Sequence, residues 1–352
     1  MVEVAEGIVG ALVIVWIMND VFQSVVVPRP TPGLRPSTIL ARLTWPAWRS
    51  LAERRRTAGR ERLLAQYAPL LLVSLLGVWI VGLLFGYGLL FHALRGQLKP
   101  PPEDLLAAMY FAGTSLLTVG FGDVIALEPA ARALSIAAAA SGLGVVALSI
   151  SFIFSLFANF QRREALVVTL DQRAGAPPSG VRLLETMATL RMRDALGPLF
   201  SDWERWAGEV LDTHVSYPIL AYFRSTHDYE SWIGALGAML DAATLVSTAM
   251  NDGPSGEASM LCGAGAHLVE DVTSFFRLPH DHEVGVERRE FEEAYATLAS
   301  CGYAMKDLDE AWRDFATARS TYAGSLNALA RNWSTPPALW INDRSYLPHA
   351  PG

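Results

Sequence analysis

The chain has 352 residues, is 51% hydrophobic and 18% charged, and carries two cysteines, Cys262 and Cys301. Two cysteines exclude a disulfide framework and fit a reducing compartment. The net charge of −7 averages two unlike halves: residues 1–163 hold 14 Lys/Arg and 9 Asp/Glu (+5), residues 164–352 hold 14 and 26 (−12). That asymmetry suggests a basic part near lipid and an acidic part in water, with no nucleic-acid partner.

A bilayer-spanning helix needs about 20 mostly apolar residues. Three segments qualify, at 5–27, 66–94 and 130–159. Glu3 and Glu6 stand where a cleavable signal peptide would be basic, so none is expected. The first segment contains Asn19, Asp20 and Gln23, and pairing of Asp20 with a linker arginine is the expected account of an intramembrane acid.

The linker 28–65 holds Arg29, Arg35, Arg42, Arg49, Arg54, Arg55, Arg56, Arg60 and Arg62. Positive loops stay in the cytoplasm. The sequence therefore predicts an N-terminus outside, residues 95–129 outside and the C-terminal half inside, in a multi-pass protein of the cell (inner) membrane. Within the linker, Ile39, Leu40, Leu43, Trp45, Trp48 and Leu51 interleave with Arg42 and Arg49, a pattern expected to lie in the headgroup plane. No spanning helix carries the regular arginines of a voltage sensor.

Between the second and third spans lies 103–117, too short to cross a bilayer. Pro100-Pro101-Pro102 leads into it, and Glu103 and Asp104 suit the positive end of a helix. It is expected to enter from outside and point its negative end inward. It delivers the chain to Thr118-Val119-Gly120-Phe121-Gly122-Asp123. Presenting successive carbonyls to one axis demands a backbone that alternates in hand, and Gly120 and Gly122 can take positive φ without a Cβ clash. Thr118 adds a hydroxyl oxygen. One loop per chain cannot surround an ion, so a homotetramer follows.

These residues resemble the bacterial two-transmembrane, pore-loop potassium channel family. The resemblance covers 66–160 and rests on the aromatic pair Tyr110-Phe111 and on TVGFGD at 118–123, where the family has TxGYGD. It implies K⁺ selectivity, passive conduction, tetrameric assembly and K⁺ held by the carbonyls of Thr118, Val119, Gly120 and Phe121, with Gly122 completing the filter. Tyr110, Thr114 and Asp123 would support the filter from behind. Two positions depart from the pattern. Phe121 lacks the tyrosine hydroxyl that ties filter to pore helix, and Leu117 stands where a second Thr is common. In the third span, Gly142 and Gly144 are candidates for a gating hinge.

The remaining chain reads as a helical bundle, with apolar positions at helical spacing in 181–196, 199–215, 229–250, 257–276, 286–303 and 307–333. The expected fold is thus an all-α membrane protein: three transmembrane helices, a re-entrant pore helix and filter, and an all-α cytoplasmic bundle. Its parts are 1–65 (first span and basic linker), 66–163 (pore module) and 164–352 (bundle), the last set off by a linker at 173–180. No strand–GxGxxG–helix unit marks a nucleotide-binding domain. His280-Asp281-His282-Glu283 could hold Zn²⁺, but a solvated loop is the expected reading, as it is for His214, His227, Asp228 and Glu230. His92 is read as an interfacial histidine, and Cys262 as packing.

The function expected is a tetrameric potassium channel, gated through the bundle by a signal the sequence does not name. A nonselective or pH-gated cation channel is the alternative within transport. A membrane-anchored signalling protein is the alternative outside it. The C-terminal half shows no phosphate loop, nucleophile elbow or metal triad, so neither an enzyme nor a cofactor beyond permeant K⁺ is expected.

Overall fold

The computed structural model describes residues 2–28, 33–225, 230–279, 286–336, 338–340 and 342–343. The chain divides into two compact units, Met1–Phe157 and Ala158–Gly352.

The first unit begins with α1 (Val2–Val25), α2 (Pro36–Glu53) and α3 (Thr57–Ala93). α1 and α3 run antiparallel, and small residues let them close. A Cβ at Gly10 would lie 2.7 Å from the Gly86 carbonyl oxygen, one at Gly82 2.5 Å from Ile17, and one at Gly86 2.7 Å from Ile14. Glycines four apart on one face are how helices approach closely where lipid removes the hydrophobic drive to associate. At one end of this pair His92 Nδ1 meets Glu6 at 2.8 Å and Arg95 meets Glu3 at 2.8 Å.

At the other end sits Asp20, fully buried. Its carboxylate accepts from the Ser37 backbone N–H at 2.9 Å, the Ser37 hydroxyl at 2.5 Å and the Trp79 indole at 2.8 Å. Among the described residues the donors to Asp20 are neutral, in place of the arginine expected, and they join α1, α2 and α3. α2 itself lies on α3. Trp48 donates to the Leu63 carbonyl at 2.8 Å, and Tyr67 meets Thr44 at 2.9 Å and packs tilted against Trp45, centroids 4.8 Å apart. The two linker tryptophans therefore face protein, and the outward apolar residues of α2 are Leu43 and Leu51.

After α3 a 3₁₀ turn leads to strand β1 (Leu98–Lys99), then α4 (Leu105–Leu116), strand β2 (Ile125–Ala126) and α5 (Pro129–Ala174). β1 and β2 pair antiparallel, Leu98 with Ala126 and Lys99 with Ile125. Asp104 caps α4 by accepting from Ala107 N–H at 2.8 Å, so the acidic start read from sequence acts as a true N-cap. The core of this unit joins Ile17, Trp79, Tyr87, Phe91, Phe111, Leu116 and Val145.

The second unit opens with the end of α5, where Val167, Leu170 and Ala174 are buried. The third span thus continues as one helix beyond 159 and stops at Ala174, at the start of the 173–180 segment expected to be a linker. Then come α6 (Gly180–Thr189), α7 (Leu196–Ser216), α8 (Trp232–Ala249), α9 (Ser255–Phe276), α10 (Arg288–Ser300) and α11 (Leu308–Asn332). These match the six expected helical segments, with one correction. α6 ends at Thr189 instead of running to 196, because Leu190 N–H returns to Thr186 and Met192 N–H to Met187 while Arg191 takes φ +58°.

α8 is long and apolar enough to cross a membrane by length and composition, a fourth such helix that the three-span reading omitted. Its surface is instead covered by protein: Gly180 of α6, Leu240 against Gly265 of α9, and Asp241 against Arg319 of α11. The whole is an all-α membrane protein.

Candidate ion-conducting loop

The loop after α4 is built by local hydrogen bonding. Leu117 N–H closes the helix on the Gly113 carbonyl at 2.9 Å, and Thr118 N–H reaches Ser115 at 3.1 Å. Val119 N–H donates to the Thr114 carbonyl at 2.8 Å and Gly120 N–H to the same oxygen at 3.3 Å. Thr114 therefore holds the loop entrance through its backbone oxygen, while its hydroxyl turns back to Phe111 at 2.9 Å.

Through the loop the backbone alternates in hand. Thr118 has φ +54°, Gly120 +61° and Gly122 +79°, with Val119 and Phe121 between them outside the positive region. Glycine takes such values without strain. Thr118 does so as a β-branched residue, an uncommon state held by the surrounding bonds. Sequence reasoning assigned positive φ to the two glycines and missed Thr118, since nothing in a threonine announces it.

The far side is tied by Tyr110, whose hydroxyl donates to the Asp123 carboxylate at 2.8 Å while its ring stacks parallel to Phe121, centroids 6.5 Å apart. The hydroxyl that Phe121 lacks is thus supplied from the helix side. The structure brings Tyr110, Thr114, Phe121 and Asp123 together at this loop. β1–β2 pairing and the bond from Ala131 N–H to Gln97 Oε1 at 3.2 Å fasten the loop's exit. Gln97 carries no motif that would have singled it out.

Residues 117–123 are exposed in the single chain, and so are Ile136, Leu143, Ile150 and Phe154 on α5. Ile136, Leu143 and Ile150 recur every seven residues, one seam along α5. The two hinge candidates differ. A Cβ at Gly142 would overlap the Leu116 carbonyl oxygen, so this glycine lets α5 pass against the end of α4. Gly144 meets nothing within 4 Å.

The other singled-out residues lie apart from the loop. His214 is buried against Arg163, whose Nη1 is 3.2 Å from His214 Nε2. Burial, and then the nearby guanidinium, push its pKa down to about 3, so it stays neutral. Arg163 also donates to the carbonyls of Leu220 at 3.0 Å and Phe223 at 2.8 Å. Burial pushes the Cys262 thiol up to about 11, which keeps it protonated and unreactive. His227, Asp228 and His280-Asp281-His282-Glu283 lie outside the described residues. Among the described residues no three His, Cys, Asp or Glu side chains are placed to hold a metal ion.

A short helix that ends in a hand-alternating loop between two membrane-long helices defines a class: a membrane protein with a pore-type loop. Residues 75–159, from α3 through the loop to α5, match the family model for ion channels of the two-transmembrane type. Over 203 residues the chain is 22% identical to the uncharacterized membrane protein YdjJ of Bacillus subtilis (strain 168), covering 56% of this chain and 59% of that relative. The chain thus spans less than two thirds of that relative's length. No solved structure matches.

Proposed function

We propose that the chain is one subunit of a homotetrameric, potassium-selective channel that conducts K⁺ passively. One observation carries the reading: positive φ at Thr118, Gly120 and Gly122, with both entrance N–H groups pinned on one Thr114 carbonyl. Alternating hand turns successive peptide oxygens of 118–121 toward one side, where they can replace the hydration shell of a cation.

The tetramer follows from stoichiometry and from surface. A single loop leaves most of an ion's shell unreplaced, and closed fourfold symmetry supplies the rest. The seam at Ile136, Leu143 and Ile150 and the exposed Leu117, Val119 and Phe121 are the surfaces such neighbours would cover. The arginines of 28–65 favour an N-terminus outside, the loop facing out and the acidic bundle in the cytoplasm of a cell (inner) membrane protein. Gating is assigned to the bundle, since α5 runs unbroken from the pore unit into it. The opening signal is an undefined cytoplasmic ligand or state.

Gly120→Ala tests the loop. It leaves free space around the new Cβ but strains a backbone at φ +61°. In proteoliposomes loaded with K⁺, the reading expects flux to fall at least tenfold while the variant still assembles as a tetramer. Wild-type flux from this variant would refute the loop as the conduction path.

A further inference from the structure

The linker between α1 and α3 has a surface the pore does not use. Both its ends are tethered at the same membrane face, because α1 and α3 are antiparallel neighbours. Its helix α2 buries Trp45 and Ala52 on α3 and turns Leu43 and Leu51 outward. Arg42, Arg54, Arg55, Arg56 and Arg62 are exposed in the same linker and its flanks. Across 28–65 nine arginines stand against two acids, Glu53 and Glu61. At the start of α2, Arg35 is half-buried, and its Nε and Nη1 are shielded from water with no hydrogen-bond partner among the described residues. A guanidinium stripped of water and left unpaired is costly, unless an anion completes it.

The linker is also anchored so that it cannot swing away. Asp20 grips the backbone and hydroxyl of Ser37 two residues after Arg35, and the Trp16 indole donates to the Leu34 carbonyl at 2.9 Å. Arg35 is therefore held at a fixed place beside the end of α1.

We infer that α2 docks on an anionic phospholipid leaflet and that Arg35 binds one lipid phosphate there. Leu43 and Leu51 dip below the headgroups, and Arg42 with Arg54–Arg56 meet further phosphates. A phosphodiester suits the site because the planar guanidinium presents paired N–H donors to two phosphate oxygens. The inference needs the membrane but not the K⁺ reading, and its readout is independent of conduction.

The test uses the full chain in nanodiscs of 70% phosphatidylcholine and 30% phosphatidylglycerol. Protein is released into native mass spectrometry and bound lipids are counted. The account expects phosphatidylglycerol retained in excess of its share, and a loss of roughly fivefold per arginine removed. Arg35→Gln should remove one tightly held phosphatidylglycerol per subunit, and Arg35→Lys, which keeps the charge but not the paired donors, should hold it only in part. Arg54→Gln/Arg55→Gln/Arg56→Gln should lower only the looser adducts. Arg289→Gln in α10 should change nothing. Retention of both lipids in proportion to the mixture would overturn the inference. So would unchanged tight binding in Arg35→Gln at unchanged melting temperature.

Discussion

α3 and α8 are both apolar enough to cross a bilayer, yet only a third of the α3 window is buried within the protein, against 89% of the α8 window. The difference lies in what each helix asks of its surroundings. α3 closes on α1 through Gly82 and Gly86 and leaves Leu70, Val73, Val81 and Phe85 outward, so lipid or another subunit must cover it. α8 is sealed by its own bundle, and it also carries a carboxylate, Asp241, answered by Arg319 at 2.8 Å and Tyr322 at 2.7 Å. Apolar composition alone does not separate a membrane span from a core helix. The distribution of partners does.

Three perturbations sharpen that contrast. Arg319→Ala strips the buried Asp241 of its cation, and breaking such a pair costs about 3–5 kcal/mol. We expect the bundle to become protease-sensitive at room temperature while α1–α4 stay protected, as read by limited proteolysis of the full chain in nanodiscs.

Truncating leucines gives a smaller, paired effect. Leu236 in α8 is fully buried and Leu12 in α1 is outward. Leu236→Ala should cost about 2–5 kcal/mol through lost burial and a cavity. Leu12→Ala should stay within about 0.5 kcal/mol. Equal melting shifts for the two would erase the distinction drawn between these helices.

The smallest effect is a pH slope. His214 is neutral when folded, with its pKa lowered to about 3, whereas an unfolded histidine titrates near its ordinary 6.5. The unfolded state then binds more protons between these values. The stabilisation is complete above pH 6.5 and declines by about 1.4 kcal/mol per pH unit as pH falls toward 3. Asp241, whose carboxyl burial pushes up, contributes with the opposite sign. Comparing chemical denaturation of wild type and His214→Gln across pH 4–7 isolates the histidine share. A variant with the wild-type slope would remove His214 as its source.

How legible the molecule was in sequence follows the range of each interaction. The hand-alternating loop and its helix start were readable because their demands are local: glycines at 120 and 122, an acidic cap at 104, and apolar flanks of spanning length. The six bundle helices were readable from apolar spacing. The partners of Asp20, by contrast, lie 17 and 59 residues away in Ser37 and Trp79, and no local pattern encodes them. The same holds for Arg163, which binds carbonyls at 220 and 223, and for the burial of α8, which depends on three other helices. The amphipathic pattern of α2 gave its two faces but assigned Trp45 and Trp48 to lipid, since pattern cannot say which apolar face meets α3.

The central claim is that loop 118–122 selects K⁺. The direct measurement is the reversal potential of the purified full chain in planar bilayers, with K⁺ on one side and Na⁺ at equal concentration on the other. The account predicts a reversal potential displaced far toward the K⁺ equilibrium potential, and its loss in Gly120→Ala along with the current. A wild-type current reversing near zero under that gradient would contradict it and leave a nonselective cation pore.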